Sequence, residues 1–330
     1  MSFPTIAEEF RGGVLENAHQ GLVCVIDQYK NIIYQKGNTN QSIFFRSAMK
    51  PLQAIPVFST NVIKKYGVSQ AEAALFTASQ RGEIYHQQAL LKLAKKLGFS
   101  ENQLSCGSSY PLNEQAKLDY IKAGNQKSRL LHNCAGKHLG FLAYAREKGY
   151  PLENYEAKEH PLQLEILEYV AELSELDKTN IHVAMDGCGV PVFALDLYHM
   201  AISYLKFASP SMIQNTNTVN AVKQINTVMH AHPEIVASYD FICTILLEDK
   251  NIIAKGGAQG VYCLALKKEK ISIALKVMSG TEKLWPLIVA TLLEKIGYTN
   301  KKTIERLNQL RNKHILNDEG NVVGEIRLCL

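Results

Sequence analysis

The segment Phe44–Gln53 reads FFRSAMKPLQ, and the rest of the chain is interpreted around it. It places Ser47 three residues before Lys50, so a helix starting here would hold the hydroxyl and the amine on one face, with Cβ atoms about 5–6 Å apart. A neutral lysine amine can take the serine proton and make the serine a nucleophile. The pKa of an ordinary lysine is about 10.4, so such a base needs burial or a nearby cation, for which Arg46 is the adjacent candidate. Pro51 is tolerated only near a helix start, which predicts that Ser47 lies at a helix N-terminus.

The composition indicates a soluble globular protein. Of the 330 residues, 46% are hydrophobic and 20% are charged, and the net charge of +5 comes from dispersed lysines and arginines, so we expect no nucleic-acid partner. The N-terminal sequence has no apolar core of a signal peptide, and no run of 18 apolar residues exists, so we expect neither secretion nor membrane association. Seven scattered cysteines are typical of reduced thiols in a cytoplasmic protein.

The distribution of strand and helix patterns predicts the fold class. Gly21–Ile26 and Asn31–Tyr34 flank a short polar turn, which predicts a hairpin. Helical patterns fill the middle of the chain, and further strands are predicted towards the C-terminus, at Phe241–Glu248, Asn251–Lys255, Val261–Leu266, Ile271–Val277 and Val322–Leu328. The chain is therefore predicted to be α+β, with a sheet built from both termini and an inserted helical lobe at approximately residues 47–180 of a single unit, 1–330.

Four more short motifs contain residues suited to chemistry. They are Ser79-x-x-Gly-Glu83, His132-Asn-Cys-Ala-Gly-Lys-His138, Asp186-Gly-Cys-Gly and Lys255-Gly-Gly. Each has a simpler structural explanation when it is taken alone, because most free cysteines are small buried hydrophobic residues and glycine-rich loops are often only turns. Short motifs such as Ser-x-x-Lys also occur by chance in many chains.

Taken together, in this order and spacing, these motifs resemble the asparaginase II family, of the zinc-containing, serine-dependent kind. The resemblance runs from Arg11 to about Lys276, and His132–His138 and Asp186–Pro191 are its most specific parts. It implies a fold like those of serine β-lactamases and Ser-Lys glutaminases. It also implies hydrolysis of L-asparagine to L-aspartate and ammonia, and we expect a homodimer.

The resemblance also implies roles for individual residues. It pairs Ser47 with Lys50, and Ser79 with the distant Lys255, as catalytic groups, and it leaves open which serine is the nucleophile. It implies a Zn²⁺ ion whose ligands are Cys134, Lys137 and Cys188. Around the substrate it places Arg46, Glu83, Asn133, His138 and Asp186.

The chemistry of asparagine suits this set. A guanidinium such as that of Arg46 can bind the substrate carboxylate in a bidentate manner, and Asp186 or Glu83 can bind the ammonium. Two lysines in one cleft lower each other's pKa, so that one of them can act as a base. Two cysteines suit zinc, although ligand chemistry alone favours His132 or His138 over lysine as the third ligand.

The sequence departs from the family pattern at several positions. The family usually has Ser-His-Ser-Gly-Glu where this chain has Ser79-Gln-Arg-Gly-Glu83, Asp-Gly where it has Ser279-Gly280, and Gly-Arg where it has Ser238-Tyr-Asp. These changes leave the substrate preference open. The alternatives are a glutaminase or a penicillin-interacting acyl-transferase of the same fold, and a zinc-stabilised amino-acid-binding protein without turnover. The absence of Ser-Asp-Asn and Lys-Thr-Gly motifs argues against the acyl-transferase.

Overall fold

The computed structural model describes residues 3–330. Its strands are β1 Thr5–Arg11, β2 Val14–Ile26, β3 Ile32–Lys36, β4 Ser42–Phe44, β5 His182–Met185, β6 Pro191–Asp196, β7 Ile252–Gly257, β8 Val261–Leu266, β9 Ile271–Val277, β10 His314–Leu316 and β11 Val322–Leu328. Its helices are α1 Lys50–Phe58, α2 Val62–Lys65, α3 Gln70–Ala74, α4 Ile84–Leu97, α5 Glu114–Lys122, α6 Ala135–Lys148, α7 Pro161–Ser174, α8 Leu197–Ala208, α9 Thr216–Ala231, α10 Pro233–Val236, α11 Ile242–Glu248, α12 Trp285–Lys295 and α13 Lys301–Leu310.

The main sheet is antiparallel and is built from both ends of the chain. Its order is β10-β11-β1-β2-β9-β8-β7, and β3 pairs with β2 beside this path. The predicted hairpin is confirmed by the pairing of Val25 with Tyr34. A smaller sheet, β4-β6-β5, lies apart from it. The α+β class, with the sheet built from the two termini and helices inserted between them, is confirmed.

Side chains alternate between the two faces of the main sheet, as the pleat of a strand requires. In β2, Leu22 and Cys24 belong to the core shared with α1, α6, α8 and α9, whereas Val23 and Val25 belong to the core shared with α11, α12 and α13. The central strands are thus buried on both faces. One hydrophobic core therefore anchors the inserted helices, and the other anchors the C-terminal helices.

One predicted strand is wrong. The segment predicted as a strand at Phe241–Glu248 is helical, since Ile242–Glu248 form α11. The residues from Ile242 to Leu247 are all buried, so the segment has no polar face that would reveal a period of 3.6 residues. A short apolar run of this kind cannot be assigned to helix or strand by its periodicity alone.

The segment around Ser47 adopts the predicted start of a helix. A 3-10 turn, Arg46–Met49, leads directly into α1, and Pro51 occupies its first turn. The turn packs against β7, the edge strand of the main sheet. Gly257 makes this approach possible, because a Cβ there would lie 2.8 Å from the carbonyl oxygen of Phe45. The close contact brings the N-terminus of α1 to the edge of the sheet.

Within residues 3–330, none of the helices is both long and apolar enough to cross a membrane.

Candidate active site

Ser79 lies between two buried lysines. Its Oγ is 3.1 Å from Lys50 Nζ and 2.9 Å from Lys255 Nζ. Lys50 comes from the start of α1 and Lys255 from β7, while Ser79 follows the 3-10 turn Leu75–Thr77. Its backbone N–H donates to the carbonyl of Val236 at 2.8 Å, which fixes the loop. The site is therefore assembled from three elements that are distant in sequence.

The hydrogen bonds of the two lysines differ in number. Lys50 Nζ contacts three acceptors, because it also lies 2.6 Å from the Ala78 carbonyl and 3.1 Å from the Asn133 carbonyl. These three acceptors match the three N–H donors of an ammonium. Lys255 Nζ has one acceptor besides Ser79, the carbonyl of Gly256 at 2.7 Å. A neutral amine at Lys255 can therefore donate to that carbonyl and accept the serine proton.

Both lysines are under strong desolvation. Burial lowers the pKa of Lys255 to about 8; the Cys243 thiol opposes this shift, and the charge of Lys50 adds to it. Burial also lowers the pKa of Lys50. The two carbonyl acceptors of Lys50 stabilise its protonated form, however, which identifies Lys255 as the better base of the two.

Ser47 lines the same pocket as Ser79 but makes no hydrogen bond with Lys50 or Lys255 in the described residues. Within the described residues, the hydrogen bonds of Lys50 and Lys255 go to Ser79 and to backbone carbonyls, not to the Ser47 hydroxyl. The spacing of Ser47 and Lys50 along the helix start therefore does not produce the direct hydrogen bond that the motif suggests. The structure joins Lys50 to the other serine.

The pocket above Ser79, here called the inner pocket, has a volume of about 90 Å³. Asn133 lines it, as do Arg81, Phe241 and Glu282. Sequence reasoning noted Arg81 only as a departure from the family pattern and did not find the other two. No motif connects Glu282 to Ser79, so only tertiary structure could reveal it.

Gln80, another departure from the family pattern, has a structural role. Its buried side-chain N–H₂ donates to the carbonyls of Leu131 and His132 at 3.0 and 2.9 Å. These contacts hold the turn that precedes Asn133, whose carbonyl accepts from Lys50. Gln80 therefore supports the backbone on which one side of the site is built.

Glu83 is held by protein groups rather than facing the inner pocket. One carboxylate oxygen accepts from the Ser238 hydroxyl, and the other lies 2.8 Å from His86 Nδ1. His86 Nε2 in turn lies 3.1 and 3.2 Å from the carbonyls of Glu234 and Ile235. This buried network joins the start of α4 to the segment that receives the Ser79 N–H.

The other residues expected around the substrate also lie outside the lining of the inner pocket. Arg46 Nη2 pairs with Asp186 Oδ1 at 2.8 Å, although the angle of this contact does not satisfy hydrogen-bond geometry. His138 is buried, and its Nδ1 lies 2.6 Å from the hydroxyl of Tyr155. Burial, with a smaller effect of Lys137, lowers the pKa of His138 to about 3, so this imidazole is neutral.

The structure brings Cys134, Lys137 and Cys188 together. Lys137 Nζ lies 3.2 Å from Cys188 Sγ, and all seven cysteines are free thiols. A hydrogen bond from Cys188 lowers the pKa of Cys134 well below its usual range, in spite of burial. The same contact, together with burial, raises the pKa of Cys188. Burial lowers the pKa of Lys137, but the two sulfurs outweigh burial and raise it.

This donor set fits a zinc ion. A pair of adjacent buried sulfurs, one of them favouring the thiolate, is a soft donor pair of the kind that zinc prefers, and a neutral amine adds a third. In the described part of the chain, no group of three histidine, cysteine or acidic side chains is arranged to hold a metal. Lys137, whose Nζ lies 3.2 Å from Cys188 Sγ, is therefore the candidate for a third ligand.

Comparison with known proteins identifies a family. The family model described as L-asparaginase II matches residues 7–328. No curated protein matches the chain.

Two solved structures show a distant likeness. One is described as a beta-lactamase from Mycobacterium bovis, with 14% identity over 83% of this chain and 94% of that chain, at a TM-score of 0.39. The description of the other, from Bacteroides dorei, also names a beta-lactamase, with 13% identity over 83% of this chain and 92% of that chain, at a TM-score of 0.47. Neither likeness bears on the chemistry of this chain.

Proposed function

The chain belongs to the L-asparaginase II family, and from this membership we propose that it hydrolyses L-asparagine to L-aspartate and ammonia. The observation that supports the proposal most directly is the position of Ser79 Oγ, within hydrogen-bond distance of two lysine amines. A serine hydroxyl is a weak nucleophile unless an adjacent base activates it. Lys255 meets this requirement, because its lowered pKa makes the neutral amine available close to physiological pH.

The reaction would proceed in two stages. In the first, the Lys255 amine takes the Ser79 proton while Oγ bonds to the carboxamide carbon of the substrate. The carbon–nitrogen bond then breaks, and the leaving nitrogen takes the proton back from Lys255 and departs as ammonia. In the second stage, a water molecule loses a proton to Lys255 and attacks the ester, and the proton returns to Ser79 as aspartate is released.

Lys50 would remain an ammonium throughout. Its contacts with the carbonyls of Ala78 and Asn133 fix it beside Ser79, where its charge stabilises the oxygen as the proton leaves. The same charge helps to keep Lys255 neutral, because two adjacent ammonium groups repel each other. The two lysines would thus have different functions, one as base and the other as a fixed cation.

Zinc is part of the proposal, with Cys134, Cys188 and Lys137 as the residues that would hold it. When bound, zinc would tie the start of α6 to the loop before β6 and would supply a local positive charge. The protons on Lys137 and Cys188 would have to leave before these groups could become ligands. The Arg46–Asp186 ion pair lies beside this cluster, since Asp186 Oδ2 is 3.8 Å from Cys188 Sγ.

The residues that the family resemblance places around the substrate have proposed roles that depend on where each side chain lies. Asn133 lines the inner pocket and could contact the substrate directly. Arg46 and Asp186 lie outside the lining of the inner pocket, so they would reach the substrate only if their side chains turned towards it. Glu83 and His138 would act through the backbone around the site. The homodimeric state is likewise a prediction.

Ammonia release from L-asparagine and from L-glutamine tests the proposal. The small inner pocket favours the shorter substrate, and one additional methylene changes kcat/KM by roughly 10- to 200-fold in such cases. A preference for glutamine would support the glutaminase alternative. Tight binding of L-asparagine in calorimetry without ammonia release would support the non-catalytic binding protein.

A further inference from the structure

Arg81 and Glu282 stand at the opening of the inner pocket. Both line this pocket together with Ser79 and Lys255. Both also line a larger cleft of about 440 Å³, here called the outer cleft, which extends towards Lys283 and Arg311. The two cavities share only Arg81, Phe241 and Glu282 among their lining residues. A molecule that enters the inner pocket from the outer cleft therefore passes both charged groups.

Neither charge has a partner. Among residues 3–330, the Arg81 guanidinium makes no hydrogen bond or ion pair, and it lies over the face of the Phe241 ring, 4.8 Å from the centroid. The Glu282 carboxylate likewise has no hydrogen-bond or ion-pair partner in this part of the chain. The ring holds the guanidinium in place while its N–H donors remain available.

Glu282 is also partly desolvated. Burial raises the pKa of its carboxyl group, although Lys255 and Arg81 oppose the shift. A cationic group that entered beside Glu282 would compensate for the water lost by the carboxylate. A half-buried carboxylate without a partner is therefore suited to a ligand that carries an ammonium.

The charged residues that the family resemblance assigns to the substrate contact other protein groups and lie outside the lining of the inner pocket. Arg46 Nη2 forms an ion pair with Asp186 Oδ1 at 2.8 Å, and both oxygens of Glu83 are occupied by Ser238 and His86. None of them lines the inner pocket in the described chain. The charges that a zwitterion entering this pocket would meet first are those of Arg81 and Glu282.

We propose that Arg81 binds the α-carboxylate and Glu282 the α-ammonium of the substrate while its carboxamide lies at Ser79. This proposal rests on the proposed amidohydrolase function. The side-chain carboxamide enters first, and the zwitterionic end stays at the opening, where the two unpaired charges lie. The substrate class is therefore free α-amino acids that carry a side-chain carboxamide, and carboxamides without these two charges are poor substrates.

Three substrates separate the two contacts. L-Asparagine has both charges, succinamate lacks the ammonium, and 3-aminopropanamide lacks the carboxylate. For Arg81→Gln we expect kcat/KM to fall roughly 10- to 100-fold for asparagine and succinamate, and at most about twofold for 3-aminopropanamide. For Glu282→Gln we expect the loss with asparagine and 3-aminopropanamide, and not with succinamate.

Two further variants serve as controls. Lys283→Gln removes an exposed cation beside Glu282 that lines the outer cleft only, and its substrate preferences should match those of the unaltered protein. Arg46→Gln tests the rival assignment. If Arg46→Gln abolishes the preference for a carboxylate and Arg81→Gln does not, the proposal is overturned. An equal loss with all three substrates in Glu282→Gln also overturns it, because Glu282 would then act through Lys255.

Calorimetric binding of L-aspartate separates this proposal from the proposed function. If the unaltered protein binds L-aspartate but releases no ammonia, the amidohydrolase function fails, and a roughly 10- to 100-fold weaker binding by Arg81→Gln still supports the present inference. If asparagine is hydrolysed and Arg81→Gln binds L-aspartate as tightly as the unaltered protein, only the present inference fails. If the unaltered protein neither binds nor hydrolyses, both fail.

Discussion

Lys255 Nζ lies 2.9 Å from Ser79 Oγ, although 176 positions separate the two residues in the chain. The contact joins an edge strand of the main sheet to a loop that follows the inserted α3. The distance between base and nucleophile therefore depends on how the helical lobe packs on the sheet. A small shift between the two would separate the base from the hydroxyl, since hydrogen bonds of this kind are usually no longer than about 3.2 Å.

The two serines of the inner pocket should differ in their importance. We expect Ser79→Ala to lower kcat by roughly 10³-fold or more, because it removes the hydroxyl that both lysines contact. Ser47→Ala preserves those contacts and should therefore lower kcat much less. Steady-state kinetics with asparagine would measure both effects, and circular dichroism would confirm that each variant is folded. A larger loss in Ser47→Ala would instead identify Ser47 as the nucleophile.

The sequence motifs predicted the participants of this site better than their pairing. The spacing of Ser47 and Lys50 indicates a shared helix face, and the 3-10 turn and α1 do form there. The lysine side chain is long enough, however, to reach past the turn towards Ser79 and two carbonyls. Its direction is determined by which buried acceptors tertiary packing supplies, and local spacing contains no information about them.

Charge recognition was the least predictable part of the site. The sequence indicates that Glu83 can bind an ammonium, but it cannot show that Ser238 and His86 already occupy both oxygens. Glu282 lies in no motif, and it reaches the inner pocket only because the segment before α12 packs beside β7. The apolar runs of the sequence predict β8 and β9, whereas α11 was missed because Ile242–Leu247 are all buried.

Substitution of Glu83 tests whether this residue has a structural role or binds the substrate. We expect Glu83→Gln to lower the free energy of unfolding by about 1–3 kcal/mol, because an amide cannot accept from both Ser238 and His86 as the carboxylate does. Denaturant titration would measure this loss. A large increase in KM with unchanged stability would contradict this expectation and would indicate that Glu83 binds the substrate.

Zinc content tests the thiol cluster. Protein purified without added metal should contain about one zinc ion per chain by elemental analysis, and Cys134→Ser and Cys188→Ser should each lose most of it. Cys329→Ser is the matched control, because Cys329 is a free cysteine that lies outside the cluster. Absence of zinc from the unaltered protein, with both thiols open to titration in the native state, would contradict the proposed ligand set.

The rate should depend on pH through the base. Because Lys255 acts as a neutral amine and its pKa is lowered to about 8, kcat/KM should rise with pH through an apparent pKa near that value and stay high in mildly alkaline solution. The observed value belongs to the coupled Lys50–Lys255 pair. Lys255→Arg retains the charge but cannot lose a proton, so it should be inactive throughout. An optimum below pH 6 would show that the lysines act only as cations.

Stability should depend on pH through the same group. The pKa of Lys255 is about 8 in the folded protein against 10.5 for an ordinary lysine, so between these values the unfolded chain binds more protons than the folded one. Stability attributable to Lys255 therefore rises with pH across this window. The cost of burying the charge, about 3 kcal/mol, is fully present below pH 8 and is lost above about pH 10.5.

Lys255→Met makes this dependence measurable. The absolute stability of the variant also includes the lost contacts with Ser79 and the Gly256 carbonyl, so the useful quantity is the difference in unfolding free energy between the two proteins. From pH 8 to 10.5 the unfolding free energy of the unaltered protein should rise by about 3 kcal/mol relative to that of Lys255→Met. The contributions of the other titrating groups are nearly the same in both proteins and cancel in the difference. Loss of the Lys255 charge also raises the pKa of Lys50 in the variant, so the stability of the variant rises less with pH. This effect increases the difference between the two proteins further. A difference that stays flat over this range would mean that Lys255 keeps an ordinary pKa, and the proposed base would then lack the neutral amine on which the reaction depends.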